Sequence, residues 1–117
     1  MAKPSNYLSN KELCEEIIRC KQTNKFSNEA LMMITLMANR FSLKFMYQFP
    51  DDRKDCIQQA ILDCFLYYKN FDPERSSNAF AYFSQIIKNG FAKSWRQLYQ
   101  DLPAKQRTRI NNNIWNI

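Results

Sequence analysis

One stretch of the chain alternates aromatic, amide and cationic residues at helical spacing: Tyr82, Gln85, Asn89, Lys93 and Arg96. Residues three and four apart are neighbours on a helix surface, so these five share one side. A flat ring for stacking and cations that seek phosphate are what an unpaired nucleic-acid strand needs. Asn and Gln amides can also read adenine edges. An ordinary wet helix face with an amphipathic tyrosine accounts for the same residues, so the pattern needs context.

Charge supplies part of it. Residues 1–75 hold 11 Lys/Arg against 10 Asp/Glu, a net of +1. Residues 76–117 hold Lys88, Lys93, Arg96, Lys105, Arg107 and Arg109 against Asp101 alone, a net of +5. A near-neutral first part and a basic last part suggest that the C-terminal part meets a polyanion. A solvated basic face without a ligand is the alternative.

Enzymatic chemistry finds little material. The chain has no histidine, hence no Ser-His or Cys-His pair and no imidazole ligand. It has no glycine-rich phosphate loop. The carboxylate groups Glu12/Glu15/Glu16 and Asp51/Asp52/Asp55 sit at or near expected helix starts, where negative charge is favoured by the dipole. Cys14, Cys20, Cys56 and Cys64 lack paired zinc spacing and sit among apolar residues at helical intervals, which suits buried thiols. Neither a metal, a cofactor nor a catalytic residue is expected. With no signal peptide and no membrane-length apolar run, a reducing cytoplasm is the expected location, and no membrane is expected as a partner.

The elements that must position these residues are helices. At 117 residues with one glycine and four prolines, 45% apolar, the chain suits one all-α domain of about four helices. Ser9 to Glu12 is a capping-box pattern opening a helix to about Lys21, with Leu13, Ile17 and Cys20 or Ile18 inward. Ser27 is the expected N-cap of a second helix, in which Leu31, Ile34, Met37 or Ala38, Phe41 and Phe45 form the inner stripe. Met32, Met33, Leu36 and Leu43 broaden that face, which suggests burial on more than one side, and the helix should stop before Pro50. Asp51 or Asp52 can cap a third helix to about Asn70, with Ile57, Ala60 or Ile61, Cys64 and Tyr68 inward. Asp55, Gln58, Gln59 and Asp63 then fall on its polar side. A fourth helix, about Asn78 to Tyr99, has Phe80, Phe83, Ile87, Phe91, Trp95 and Leu98 as its core face. Gly90 inside it suggests close packing or close approach of a ligand. Residues 1–100 make the domain; residues 101–117 make a short basic tail with an apolar end.

The run Asp55-Cys56-Ile57-Gln58-Gln59 through Phe71-Asp72-Pro73-Glu74-Arg75, continuing without a gap into Ala79-Phe80-Ala81-Tyr82-Phe83, resembles region two of bacterial and phage sigma factors. That region is a compact helical bundle. It joins a polymerase-binding helix, through a Phe-Asp-Pro-Glu-Arg turn, to a helix that reads the promoter's −10 element. Asn10-Lys11-Glu12-Leu13, Leu36-Met37-Ala38 and Arg40-Phe41 are similar to the late-transcription sigma factors of T-even-type tailed phages. The resemblance covers roughly residues 6–97.

The resemblance implies roles by position. Asp55, Gln58 and Gln59, with Ile61, Leu62 and Phe65 on or beside them, match the surface that grips the clamp coiled coil of the largest polymerase subunit. Gln59 stands where the family commonly has Glu. Tyr82 matches the aromatic that stacks on a base flipped from melted promoter DNA. Lys88, Asn89 and Lys93 match upstream duplex and phosphate contacts, and Arg96 adds phosphate attraction. Gln85 and Ile86 replace a tryptophan pair that wedges the duplex fork, which implies an easily opened AT-rich element or help from a co-activator. In the late phage branch the C-terminus binds the sliding clamp, and Ile114, Trp115 and Ile117 match that plug in character. A tail folded back on the core is the alternative. The expected function is a phage-type sigma factor directing host core polymerase to short AT-rich late promoters. The rivals are a polymerase-clamp-binding regulator that does not read DNA and a nonspecific single-strand binder.

Overall fold

Each helix starts where a side chain or a proline accounts for backbone groups that the helix leaves unpaired. The computed structural model describes residues 9–47 and 49–99. These form α1 (Asn10–Thr23), α2 (Asn28–Ser42), α3 (Pro50–Tyr67), a 3-10 turn over Tyr68–Asn70, and α4 (Ala79–Tyr99). The fold is the expected all-α bundle of four helices. The tail at 101–117, with Ile114, Trp115 and Ile117, lies outside the described residues.

Ser9 caps α1 by accepting from the Glu12 N–H at 3.1 Å. Asn24 ends it in the left-handed region (φ 55°), its N–H turned to the Cys20 and Lys21 carbonyls. Ser27 caps α2 through the Ala30 N–H at 3.1 Å. Its hydroxyl donates to Glu16 Oε2 at 2.6 Å, and Arg19 donates to Glu16 Oε1 at 2.8 Å. Glu16 is therefore buried as a strut between α1 and the start of α2, a departure from the expected capping or solvated role of its carboxylate cluster. At α3 the expected aspartate cap is replaced: Phe49 is the N-cap and Pro50 occupies the first helical position, where its missing N–H costs nothing. Asp51 and Asp52 sit in the first turn. At α4, Asn78 Oδ1 accepts from the Ala81 N–H at 2.9 Å. The Asn10 side chain donates to Ser77 O and accepts from Phe80 N, which joins the beginnings of α1 and α4.

Leu13, Ile17, Ile34, Phe83, Ile87 and Phe91 are almost wholly buried. Each such side chain contributes about 1.5–3 kcal/mol relative to an exposed one. The four cysteines are buried free thiols, as expected. Phe91 is ringed by Phe41 at 5.4 Å and Phe45 at 5.1 Å. Gly90 does permit close packing: a Cβ there would lie 2.8 Å from Asp63 Oδ2 and 3.0 Å from Ala60 Cα. The backbone of α4 thus rests on α3 at that point.

Three further expectations are corrected. First, α2 stops before Pro50 as expected, but already at Ser42, so that Leu43 and Phe45, expected on its apolar face, lie beyond the helix. The Leu43, Lys44 and Phe45 N–H groups bond three residues back, which tightens and closes the last turn. Ser42 Oγ donates to Asn39 O and accepts from Arg53 Nε, while Tyr47 donates to Ser42 O. Met32 and Leu43 are 72% and 74% exposed, so α2 buries one side only. Second, Asp63 is buried on α3 rather than polar-side and solvated. Third, Leu98 is exposed, and Tyr99 takes the last inward place on α4, donating to Asp52 Oδ2 at 2.6 Å.

Candidate functional site: the outward faces of α3 and α4

Helical spacing sets Asp55, Gln58, Leu62, Phe65 and Leu66 in one strip along the outside of α3, and exposed Lys69 follows in the 3-10 turn. Leu62, Phe65 and Leu66 are 49%, 52% and 56% exposed. They stand at i, i+3 and i+4, the spacing by which a helix anchors in a partner. Among the described residues, the four-helix packing leaves these three side chains about half exposed.

Two grooves flank the strip. One, of about 390 Å³, runs between α3 and α4 and is lined by Asp55, Gln58, Gln59, Leu62, Gln97 and Leu98 among others. The second, of about 520 Å³, lies between the α1–α2 connection (Asn24, Lys25, Phe26) and the end of α3 (Phe65, Leu66, Lys69). Leu66, Lys25, Phe26 and Lys69 were not among the residues singled out in the sequence. Leu66 was legible, since it lies one turn beyond Leu62 on the same strip. Phe26 and Lys25 were not, because they reach the strip through the bundle's tertiary packing.

Of the expected polymerase-facing residues, Asp55, Gln58, Leu62 and Phe65 are exposed. Ile61 is half-buried and packs against the core. Gln59 turns toward α4, and its Nε2 donates to Asp63 Oδ1 at 3.0 Å. The same carboxylate receives Lys93 Nζ from α4 at 3.4 Å. The Asp63 side chain is only 9% exposed whereas that of Lys93 is 51% exposed. Lys93 is therefore a half-exposed interhelical tie in this structure.

On α4, Gln85 and Asn89 are exposed and paired, Gln85 Nε2 donating to Asn89 Oδ1 at 2.9 Å. Arg96 is exposed; Ile86 and Lys88 are half-buried. Tyr82 is half-buried as well. Its ring packs on Phe71 at 5.3 Å and its hydroxyl donates to Tyr67 O at 2.7 Å. Burial raises the Tyr82 phenol above its ordinary value, so it stays a neutral donor.

The turn between α3 and α4 is held on both sides. Phe71 is buried, and its carbonyl accepts from Lys21 Nζ at 2.6 Å. Asp72 Oδ1 accepts from the Glu74 N–H at 3.0 Å, and Asp72 O accepts from Arg75 and Ser76. Phe71 anchors the segment while Asp72 shapes it, which fixes where α4 begins relative to α3.

No helix among the described residues is long and apolar enough to cross a membrane. The chain matches no protein-family model, no curated protein and no solved structure.

Proposed function

We propose that the chain is a phage-type sigma factor that binds bacterial core RNA polymerase and directs it to short AT-rich, −10-like late promoters. It acts in the host cytoplasm and performs no catalysis itself. The observation that carries the reading is the exposed apolar strip Leu62, Phe65 and Leu66, headed by exposed Asp55 and Gln58. Asp55, Gln58, Leu62 and Phe65 are positions at which the resemblance expects the clamp coiled coil of the largest subunit, and Leu66 extends them by one place on the same strip. The Phe71–Arg75 turn and the exposed Gln85, Asn89 and Arg96 of α4 are consistent with promoter DNA, melted strand included, as the second partner. Arg96 offers phosphate attraction, and the amides offer base-edge contacts.

Run-off transcription with core polymerase on templates carrying AT-rich upstream elements tests the reading. A specific start that depends on the protein is expected. Folded protein that yields no specific start on any such template overturns it. A co-activator and a sliding clamp belong to the same reading as further partners.

A second reading is favoured by one observation. Tyr82, expected to stack on a flipped base, is engaged on Phe71 and Tyr67. Base capture would have to break that hydrogen bond or use only the free ring face. A polymerase-clamp-binding regulator that ignores DNA would have no such cost. Tyr82→Ala combined with Asn89→Ala separates the two: promoter-specific starts are lost in a sigma factor, whereas a regulator keeps its effect on polymerase.

A further inference from the structure

The strip on α3 is electrically bipolar. It begins at Asp55, while the neighbouring Asp51 is paired with Lys54 at 4.0 Å, and it ends at Lys69, with Lys25 beside it across the groove. Asp55, Lys25 and Lys69 are exposed and have no ion-pair partner among the described residues. About 18 Å of α-helix runs from Asp55 to the end of α3 at Tyr67, at 1.5 Å per residue, and Lys69 stands in the 3-10 turn just beyond. Between Asp55 and Lys69 lie the exposed apolar residues.

We infer that the groove formed by Lys25, Phe26, Phe65, Leu66 and Lys69 is a second docking pocket, one that takes an apolar side chain flanked by carboxylates. This rests on the reading of α3 as a docking face and adds the chemistry of the partner. Two cations rim the groove, and none of its lining residues is acidic. Its apolar wall is made by Phe26 and Phe65 meeting edge to face, centroids 5.8 Å apart at 84°, with Phe26 tilted at 52° on Tyr68. These rings close on one another and present no parallel pair to sandwich a nucleobase.

A helical partner segment matches this surface with carboxylates opposite Lys25 and Lys69, apolar anchors over Leu62 to Leu66, and a cation opposite Asp55. Helix dipoles favour carboxylates at the start of such a segment and cations at its end. The partner helix therefore runs antiparallel to α3.

The probe is a dye-labelled helical peptide with Glu in its first turn, Leu and Phe at i, i+3 and i+4 in its centre, and Arg in its last turn. Binding to the full chain is read by fluorescence anisotropy. The double variant Lys25→Glu/Lys69→Glu should weaken it about tenfold, because each reversal removes an attraction and adds a repulsion. A peptide with Lys in place of Glu should bind that variant more tightly than it binds the wild type. Both positions are exposed, and circular dichroism melting shows whether the variant stays folded. Equal affinity of wild type and variant for the first peptide overturns the proposal. So does a failure of the peptide to bind while an oligothymidylate or phosphatidylglycerol vesicles bind in a Lys25/Lys69-dependent manner. Core polymerase retention is measured in parallel. Polymerase held equally by wild type and variant, with no peptide bound, sinks the pocket alone. Peptide binding that responds to the charge reversals, with no polymerase retained, sinks the sigma reading alone.

Discussion

At Gly90 the missing side chain is the structural feature. Alanine is the better helix former by about 1 kcal/mol. Its Cβ would nevertheless meet Asp63 Oδ2 at 2.8 Å and Ala60 Cα at 3.0 Å. The carboxylate could swing aside, but the Ala60 backbone could not without α3 moving. Overpacking of this kind costs about 1–3 kcal/mol. Gly90→Ala should therefore lower the urea midpoint despite the propensity gain, and an unchanged or raised midpoint would show that the helices can part there. The neighbouring Asp63 is an asymmetric case. It is buried, its ammonium partner Lys93 is half-exposed, and Gln59 offers a second donor. Lys93→Met leaves a buried carboxylate with one amide, a loss of about 1–3 kcal/mol, below the roughly 3–5 kcal/mol of a fully broken buried pair because Gln59 remains. Asp63→Asn added to Lys93→Met removes the stranded charge and should recover part of that loss. A double variant less stable than Lys93→Met alone would argue that the carboxylate matters for packing rather than for charge.

At the scale of the helix, α3 serves two masters on opposite sides. Cys56, Ala60, Asp63 and Cys64 face the bundle, while Leu62, Phe65 and Leu66 face outward. An outward apolar triplet contributes little to folding, so charging it should spare stability and remove docking. Leu62→Asp/Leu66→Asp is expected to melt within a few degrees of the wild type and to lose core polymerase in pull-down by more than about tenfold, as for loss of central anchors in an interface. A variant that melts normally and still retains polymerase would place the docking face elsewhere. Much of this organisation was legible in the sequence. Ser9, Ser27 and Asn78 mark helix starts because their side chains accept the N–H groups that a first turn leaves free. Phe83, Ile87, Phe91 and Trp95 mark the core of α4 by period alone. What was not legible depends on neighbours distant in the chain. Asp63 reads as polar until Lys93 and Gly90 are seen to provide its partner and its space. Leu43 and Met32 read as core until α2 is seen to bury one side only. Pro50 reads as a stop for the preceding helix, yet it opens the next one, and Tyr47 helps close α2 five residues after Ser42.

Over the whole molecule the buried thiols and phenols make stability depend on alkaline pH. Burial, with a smaller push from the Asp63 charge, raises the Cys64 thiol from 9.0 to about 12. Burial also raises Cys56, against a Ser94 hydrogen bond that acts the other way, and raises Tyr47 and Tyr68. Each group is held neutral in the fold and is free to ionise once the chain opens. For Cys64, the stabilisation from this difference is complete below the unfolded value near 9 and is lost as pH rises from there toward about 12. Within that window the unfolded chain binds fewer protons than the folded one, so unfolding becomes easier with each step in pH. The slope for one such thiol is at most about 1.4 kcal/mol per pH unit. Urea midpoints under reducing conditions should therefore fall between about pH 8 and about pH 10.5. Cys64→Ala should be the less stable protein at neutral pH, for want of a buried sulfur, yet should lose less across the same interval. Cys56 and Cys64 should also resist an aromatic disulfide reagent until the chain unfolds, since both burial and protonation withhold the thiolate. Equal midpoints at the two pH values, or rapid labelling of these two thiols in the folded protein, would mean that solvent reaches the α3–α4 interface.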